Sequence, residues 1–276
     1  MSGWQKSFVG VAELAADIDR GETPILLDVR FDPRVGAVPD DYADAHLPGA
    51  VFVDLPRDLA ARPGPGTGRF PLPAVEELQV AARRWGIRND SVVVVYDDRN
   101  GVSAARAAWV LRWAGFDRVR VLEGGLRAWI AAGHPTSDTI VPPEPGDVVL
   151  SGGRLGPIGA DDVTGFAERR ALLDARGSRQ FAEGRIPSSV SLPATDLLDE
   201  DGVLRPADDV RRRLVELGVP LGSPIAVSCG GGVAATFNAL ALSALGEDVA
   251  VYVGSWSEWS ADASRPVERD EPSLVG

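Results

Sequence analysis

PIAVSCGGGVAATFNALALSAL, residues Pro224 to Leu245, decides how the rest of the chain is read. Ile225 to Ser228 is a short apolar run and predicts a buried strand. Gly230-Gly231-Gly232 predicts a tight loop, and the Ala- and Leu-rich stretch from Val233 to Leu245 predicts a helix. Cys229, the only cysteine, therefore stands where a strand turns into a helix. Backbone N–H groups and the positive end of the helix then face its sulfur. Both favour thiolate over thiol, and thiolate is the nucleophilic form. A lone cysteine is more often a buried apolar side chain than a reactive one. Three glycines directly behind it point the other way. A core strand gains nothing from them, whereas glycine lets backbone curl closely around a ligand.

Upstream, strands and helices alternate. Residues 8–21 predict a helix with Val11, Leu14, Ala15 and Ile18 on one face. Ile25 to Arg30 predicts a buried strand ending in Asp-x-Arg, and Ala50 to Val53 a second strand after the Pro48-Gly49 turn. Residues 60–73 are a Gly/Pro/Arg loop, residues 74–85 a helix ended by Gly86, and Val92 to Tyr96 a third strand. A helix over Gly101 to Trp113, a strand over Val119 to Leu122 and a short helix over Gly125 to Ala132 complete the first half. Such alternation implies α/β architecture, a parallel sheet with helices on both faces.

The second half repeats the first in order. Leu27-Asp28-Val29-Arg30 matches Leu173-Asp174-Ala175-Arg176. His46 to Val51 matches Arg185 to Val190, and Val92 to Asp98 matches Ser223 to Cys229. Val121 to Gly124 matches Val251 to Gly254, and Trp129 matches Trp259. Two domains of one fold are expected, over 1–135 and 158–276, with a Pro/Gly-rich linker over 136–157. Aligning Gly101 with Gly232 sets Asp98 against Cys229, so the first copy lacks the thiol and is expected to be inactive.

The 276 residues carry 28 Lys and Arg against 40 Asp and Glu, a net charge of −12. That excludes nucleic acid and anionic membrane as natural partners. No apolar run is long enough to span a bilayer, and no secretory leader is read at the N-terminus. One cysteine and two histidines, His46 and His134, build no internal disulfide and no zinc site. No metal or other cofactor is expected, and a cytoplasmic location is the simplest fit.

Taken together, DVR, AHLPGAV, YDD–GVSAAR, VLEGG–AW, CGGGVAA and YVGSWSEW resemble the tandem-domain rhodanese-type sulfurtransferases. These include thiosulfate and 3-mercaptopyruvate sulfurtransferases, and the resemblance covers roughly 8–268. It implies two tandem rhodanese-like domains, each a parallel sheet flanked by helices. It further implies a persulfide on Cys229, cradled by the N–H groups of Gly230, Gly231, Gly232, Val233, Ala234 and Ala235. The implied partners are a small-molecule sulfur donor and an acceptor, either cyanide or a thiol on a small molecule or a thioredoxin-like protein.

The chain departs from the family's usual loops, CGSGVT in mercaptopyruvate enzymes and CRKGVT in thiosulfate enzymes. Gly231 and Ala234 replace the serine and threonine of the first, and the cations of the second are missing. A relay proposed in some relatives would fall on Phe70 and Pro56, which cannot perform it. Arg179 and Arg185 stand nearest to the family's anion-binding positions and are the candidate donor-binding residues. A slow enzyme accepting both donors is expected, with Gly231→Ser favouring 3-mercaptopyruvate.

Other residues read as structural. Arg176 is expected to pair with Asp174, and Arg30 with Asp28. His46 reads as a turn hydrogen-bonder and Arg69 as a solvated surface residue. Two other functions stay in view. A cysteine phosphatase needs an arginine six residues after the cysteine, where this chain has Ala235. A non-catalytic redox or sulfur-binding module would oxidise at Cys229 without turning over donors.

Overall fold

The structure is a computed structural model describing residues 7–98 and 100–270. The outer limits expected for the two domains, and part of the stretch read as lacking a leader, lie outside the described residues. The first half gives β1 (Phe8–Val9), β2 (Ile25–Asp28), β3 (Phe31–Asp32), β4 (Gly36–Ala37), β5 (Val51–Phe52), β6 (Val93–Tyr96) and β7 (Val119–Leu122). The second gives β8 (Pro157–Ile158), β9 (Leu172–Asp174), β10 (Val190–Ser191), β11 (Ile225–Ser228) and β12 (Val249–Tyr252).

Two five-stranded sheets form, in the orders β5-β2-β6-β7-β1 and β10-β9-β11-β12-β8. Every pairing within them is parallel. The two orders are identical once repeats are matched, so each half is one α/β domain of the same fold. β3 and β4 form a separate antiparallel ribbon. The central strands β6 and β11 are buried along their whole length, as a strand covered on both faces must be.

Helices Val102–Trp113 and Ala234–Ala244 follow these two central strands. Neither has a polar face: Ala104 to Leu111 and Ala235 to Leu242 are buried throughout. The two helices pack against each other across the domain boundary. Their many alanines allow close approach, and one apolar core runs through both sheets. Phe8 of the first domain meets Phe237 of the second edge-on, with ring centroids 6.1 Å apart.

Three features differ from expectation. β1 and β8 lie in stretches read as helix start and linker. They are two residues long and exist only through pairing with β7 and β12, a non-local cause. The segment expected to link the domains is bound to the first domain along much of its length. Gly146 N–H donates to Arg83 O at 2.8 Å and Ser151 N–H to Ala114 O at 2.9 Å. Val148 and Leu150 are buried in the core. No described helix is long and apolar enough to cross a membrane.

Candidate active site

Cys229 follows directly on β11, at the carboxyl end of a central parallel strand, where α/β folds place their ligand sites. The residue is only 3% exposed. Its Sγ accepts the Gly232 N–H at 3.0 Å. Gly232 turns the chain with φ +89°, and a Cβ there would lie 2.5 Å from Val253 O. Only glycine allows that turn beside that carbonyl. The N–H groups of Gly230, Gly231 and Val233 find no protein acceptor among the described residues. Successive backbone N–H groups left without protein acceptors beside a sulfur are the kind of donors that suit an anion.

Ser255 completes the surroundings of the sulfur. Its hydroxyl accepts the Cys229 N–H at 3.1 Å, donates to Tyr252 O at 2.8 Å and lies 3.8 Å from Sγ. It is fully buried with φ +54°, a strained conformation for a residue with a Cβ. The sequence reading missed it. The signal was in the repeat: Ser255 follows β12 as Gly125 follows β7, and Gly125 has φ +56°. The second domain holds a serine where the first uses the residue that conformation prefers.

The sulfur opens into a cavity of about 400 Å³ between the domains. Cys229, Gly230, Gly231, Val233 and Ala234 line it from one side. Gly232 reaches it through its N–H, while Ala235 is buried in the helix behind. Phe31, Arg69, Phe70 and Ser103 line it from the first domain. The loop carrying Arg69 docks directly on the second domain. Arg69 N–H donates to Ser257 Oγ at 2.9 Å, and a Cβ at Gly68 would sit 2.3 Å from Gly254 O. Arg69 lines this cavity and is also exposed to solvent, as the reading of a solvated surface arginine expected. Among the described residues its guanidinium has no ion-pair partner.

Arg179 and Arg185 are not among the residues lining this cavity. The helix Ser178–Glu183 turns Arg179 outward, 91% exposed and paired with Glu183 at 3.0 Å. Arg185 pairs with Glu268 and with Asp270 at 2.6 Å, because the C-terminal segment bridges back onto it. Nearness to the family's anion-binding positions suggested both residues; a local helix directs Arg179 away and the C-terminal segment directs Arg185 away. Arg176 does line the cavity. It grips Asp174 through Nε and Nη2 at 3.0 and 2.7 Å, donates to Gly184 O and lies over the Trp256 ring. Arg30 holds Asp28 in the matching way in the first domain. His46 is buried, its ring nitrogens against Tyr42 O and Thr139 O.

The loop of the first domain corresponding to Cys229–Gly232 is closed by a carboxylate. β2 pairs Asp28 with Tyr96, and β9 pairs Asp174 with Ser228. Asp97, not Asp98, therefore occupies the position of Cys229, and the first loop is one residue longer. Backbone bonds agree: Leu126 N–H donates to Asp97 O as Trp256 N–H donates to Cys229 O. The Asp97 carboxylate accepts N–H groups from Asn100, Gly101, Ser103 and Ala104 at 2.9–3.3 Å. The Asp97 side chain thus fills the loop that in the second domain holds the Cys229 sulfur.

Two parallel-sheet domains of one strand order, the second with a cysteine directly after its central strand and against the Gly232 N–H, define a tandem rhodanese-like protein. The Rhodanese-like domain profile matches residues 10–132 and 160–262, and the chain belongs to that family. SseB of Mycobacterium tuberculosis is 39% identical over 283 residues, covering 95% of this chain and 96% of that protein. The thiosulfate sulfurtransferase of Azotobacter vinelandii is 36% identical over 270 residues, covering 93% and 95%. The crystal structure of the Escherichia coli 3-mercaptopyruvate sulfurtransferase SseA superposes with a TM-score of 0.80 at 33% identity, covering 91% of this chain and 98% of that one. The protein is a sulfurtransferase of the thiosulfate/3-mercaptopyruvate class.

Proposed function

We propose that Cys229 carries the transferred sulfur as a persulfide, taken from thiosulfate or 3-mercaptopyruvate and passed to cyanide or a thiol. One observation carries this reading: a cysteine sulfur lining the interdomain cavity and held by the Gly232 N–H, in a loop whose Gly230, Gly231 and Val233 N–H groups have no protein acceptor among the described residues. The thiolate attacks the sulfane sulfur of thiosulfate, the S–S bond breaks, and its electron pair leaves on sulfite. With 3-mercaptopyruvate the C–S bond breaks instead. Its electron pair goes to carbon, which takes up the thiol proton to give pyruvate. Either route leaves Cys229–S–S⁻. An attacking cyanide or thiolate then removes the outer sulfur and restores the Cys229 thiolate. The negative outer sulfur is stabilised by N–H dipoles already in place before reaction.

The reading sets the reaction in the cytoplasm, where disulfides are disfavoured and small thiols are abundant. The first domain serves as a cleft wall. With no acceptor present, a molar excess of protein over donor should release one sulfite or pyruvate per donor consumed. Product release only when acceptor is added would point to direct transfer without a persulfide.

Arg69 takes the donor-binding role in this reading, because it is the cavity cation without an ion-pair partner among the described residues. Arg69→Ala should raise KM for both donors about tenfold with kcat held within about threefold, the loss of one charge-assisted hydrogen bond. Unchanged KM for both would remove Arg69 from donor binding. Gly231→Ser now carries a different expectation from that of the bare sequence. A Cβ at 231 would lie 3.0 Å from Arg69 Cβ and 3.4 Å from Phe70 Cδ2. The added side chain presses on the loop that presents the cation. Gly231→Ser should lower kcat/KM for both donors several-fold, checked by parallel assays. A selective gain with 3-mercaptopyruvate would show that the loop yields without moving Arg69.

A further inference from the structure

Arg106 lies on the helix Val102–Trp113 of the first domain and is fully buried between the domains. Its Nη1 donates to Gly232 O at 3.2 Å. Its Nη2 donates to Leu59 O and Phe70 O at 3.0 Å and reaches Pro71 O at 3.4 Å. Its Nε has no hydrogen-bond partner. Among the described residues no carboxylate lies within ion-pair distance of the guanidinium. Burying such a charge costs several kcal/mol, and an acidic partner ordinarily offsets it. Here the direct partners are neutral carbonyls alone. Burial pushes the guanidinium down to about 10, and the charge of Cys229 opposes that shift. The group stays protonated at neutral pH, and Cys229 is the ionisable group whose charge reaches it.

We propose that Arg106, supplied by the first domain, is a positioning residue for sulfur transfer and the buried counter-charge of the Cys229 anion. The inference rests on the reading of Cys229 as nucleophile. Two contacts define its action. The bond to Gly232 O fixes and polarises the Gly232–Val233 peptide, whose N–H belongs to a cavity-lining residue without a protein acceptor. A polarised peptide donates more strongly. The bonds to Phe70 O and Pro71 O hold the segment that presents Arg69. One guanidinium thus ties the loop behind the nucleophile to the loop that carries the donor-binding cation. The first domain contributes charge to the reaction although its own loop is filled by Asp97. Arg106 touches neither donor nor acceptor in this arrangement, so its effect falls on the sulfur's reactivity.

The test uses Arg106→Gln and Arg106→Lys in the full chain, with iodoacetamide alkylation of Cys229 as the readout. In Arg106→Gln, alkylation at pH 7 should slow about tenfold, one pH unit's worth of thiolate. The rate at pH 10, above the ordinary cysteine pKa of ~8.5, should change less than twofold. kcat should fall, any rise in KM for thiosulfate reporting the freed segment that presents Arg69, and Arg106→Lys should recover most of the pH 7 alkylation rate. A folded Arg106→Gln with the wild-type alkylation profile overturns the proposal, as does a slowing that is equal at both pH values. Should Arg106→Gln fail to fold, thermal melts of wild type and Cys229→Ser at pH 6 and pH 9 decide the question. A buried counter-charge requires the stability advantage of wild type to grow with pH as the thiolate forms, and a constant difference overturns it. Alkylation does not need a persulfide, so failure of the sulfur-transfer reading remains distinguishable: it would appear in wild type as no sulfur gained from either donor.

Discussion

Cys229→Ser is expected to lose sulfur transfer from every donor to every acceptor, by at least ~10³-fold in kcat. A hydroxyl in the same place is not ionised at neutral pH and cannot form the persulfide, and the chain has no second thiol to replace it. The fold should be unaffected, since Ser and Cys are close in size and the Gly232 N–H still finds an acceptor. Mass spectrometry of donor-treated wild type should find one added sulfur, on the peptide containing Cys229 and nowhere else. Turnover in the serine variant within tenfold of wild type would falsify the assignment of Cys229 as the nucleophile.

Gly232→Ala should damage stability and activity together. The alanine must adopt φ near +89° with its Cβ only 2.5 Å from Val253 O, and that neighbour is backbone. Left-handed conformation costs about 1–2 kcal/mol for a residue with a Cβ, and relieving the contact adds a comparable amount. A loss of about 2–4 kcal/mol corresponds to a Tm lower by roughly 5–12 °C in a chain of this size. Relief of the contact also moves the N–H now held 3.0 Å from Sγ, so kcat should fall about 10²-fold. Gly230→Ala is the control for stability. The nearest side-chain atom to its new Cβ is Arg176 Cδ at 4.0 Å, and its melting temperature should stay within a few degrees. Equal melting of the two alanine variants would show that the Gly232 turn relaxes freely.

Both experiments act on the loop that was legible from residues 224–245 alone. A strand of four apolar residues, a break of three glycines and an alanine-rich helix leave few other local structures, so Cys229 could be placed at a strand–helix junction before any contact was known. The repeat was equally legible, because Asp-x-Arg and the Gly-Trp segments recur in the same order. Its register near the site was not. Gly101 against Gly232 suggested Asp98, and only strand pairing, Asp28 with Tyr96 and Asp174 with Ser228, shows that one extra residue in the first loop sets Asp97 there. A one-residue insertion in a glycine-bearing loop leaves no trace in composition or periodicity.

By itself the sequence determined the α/β alternation, the duplication, the single cysteine at a strand–helix junction and the glycine loop beside it, all of which depend on residues in plain view along the chain. Tertiary structure decided which cations meet the sulfur. Arg179 is adjacent in sequence to the β9 end, yet a six-residue helix points it to solvent. Arg185 is taken by Glu268 and Asp270, more than eighty residues away. Arg69, which lines the cavity of the sulfur, and Arg106, which bonds Gly232 O, come from the other domain, 160 and 123 residues before Cys229 by position, brought there as the buried faces of two alanine-rich helices pack together. Apolar area chooses that packing, and it carries charged groups into place without any local signal of where they will go.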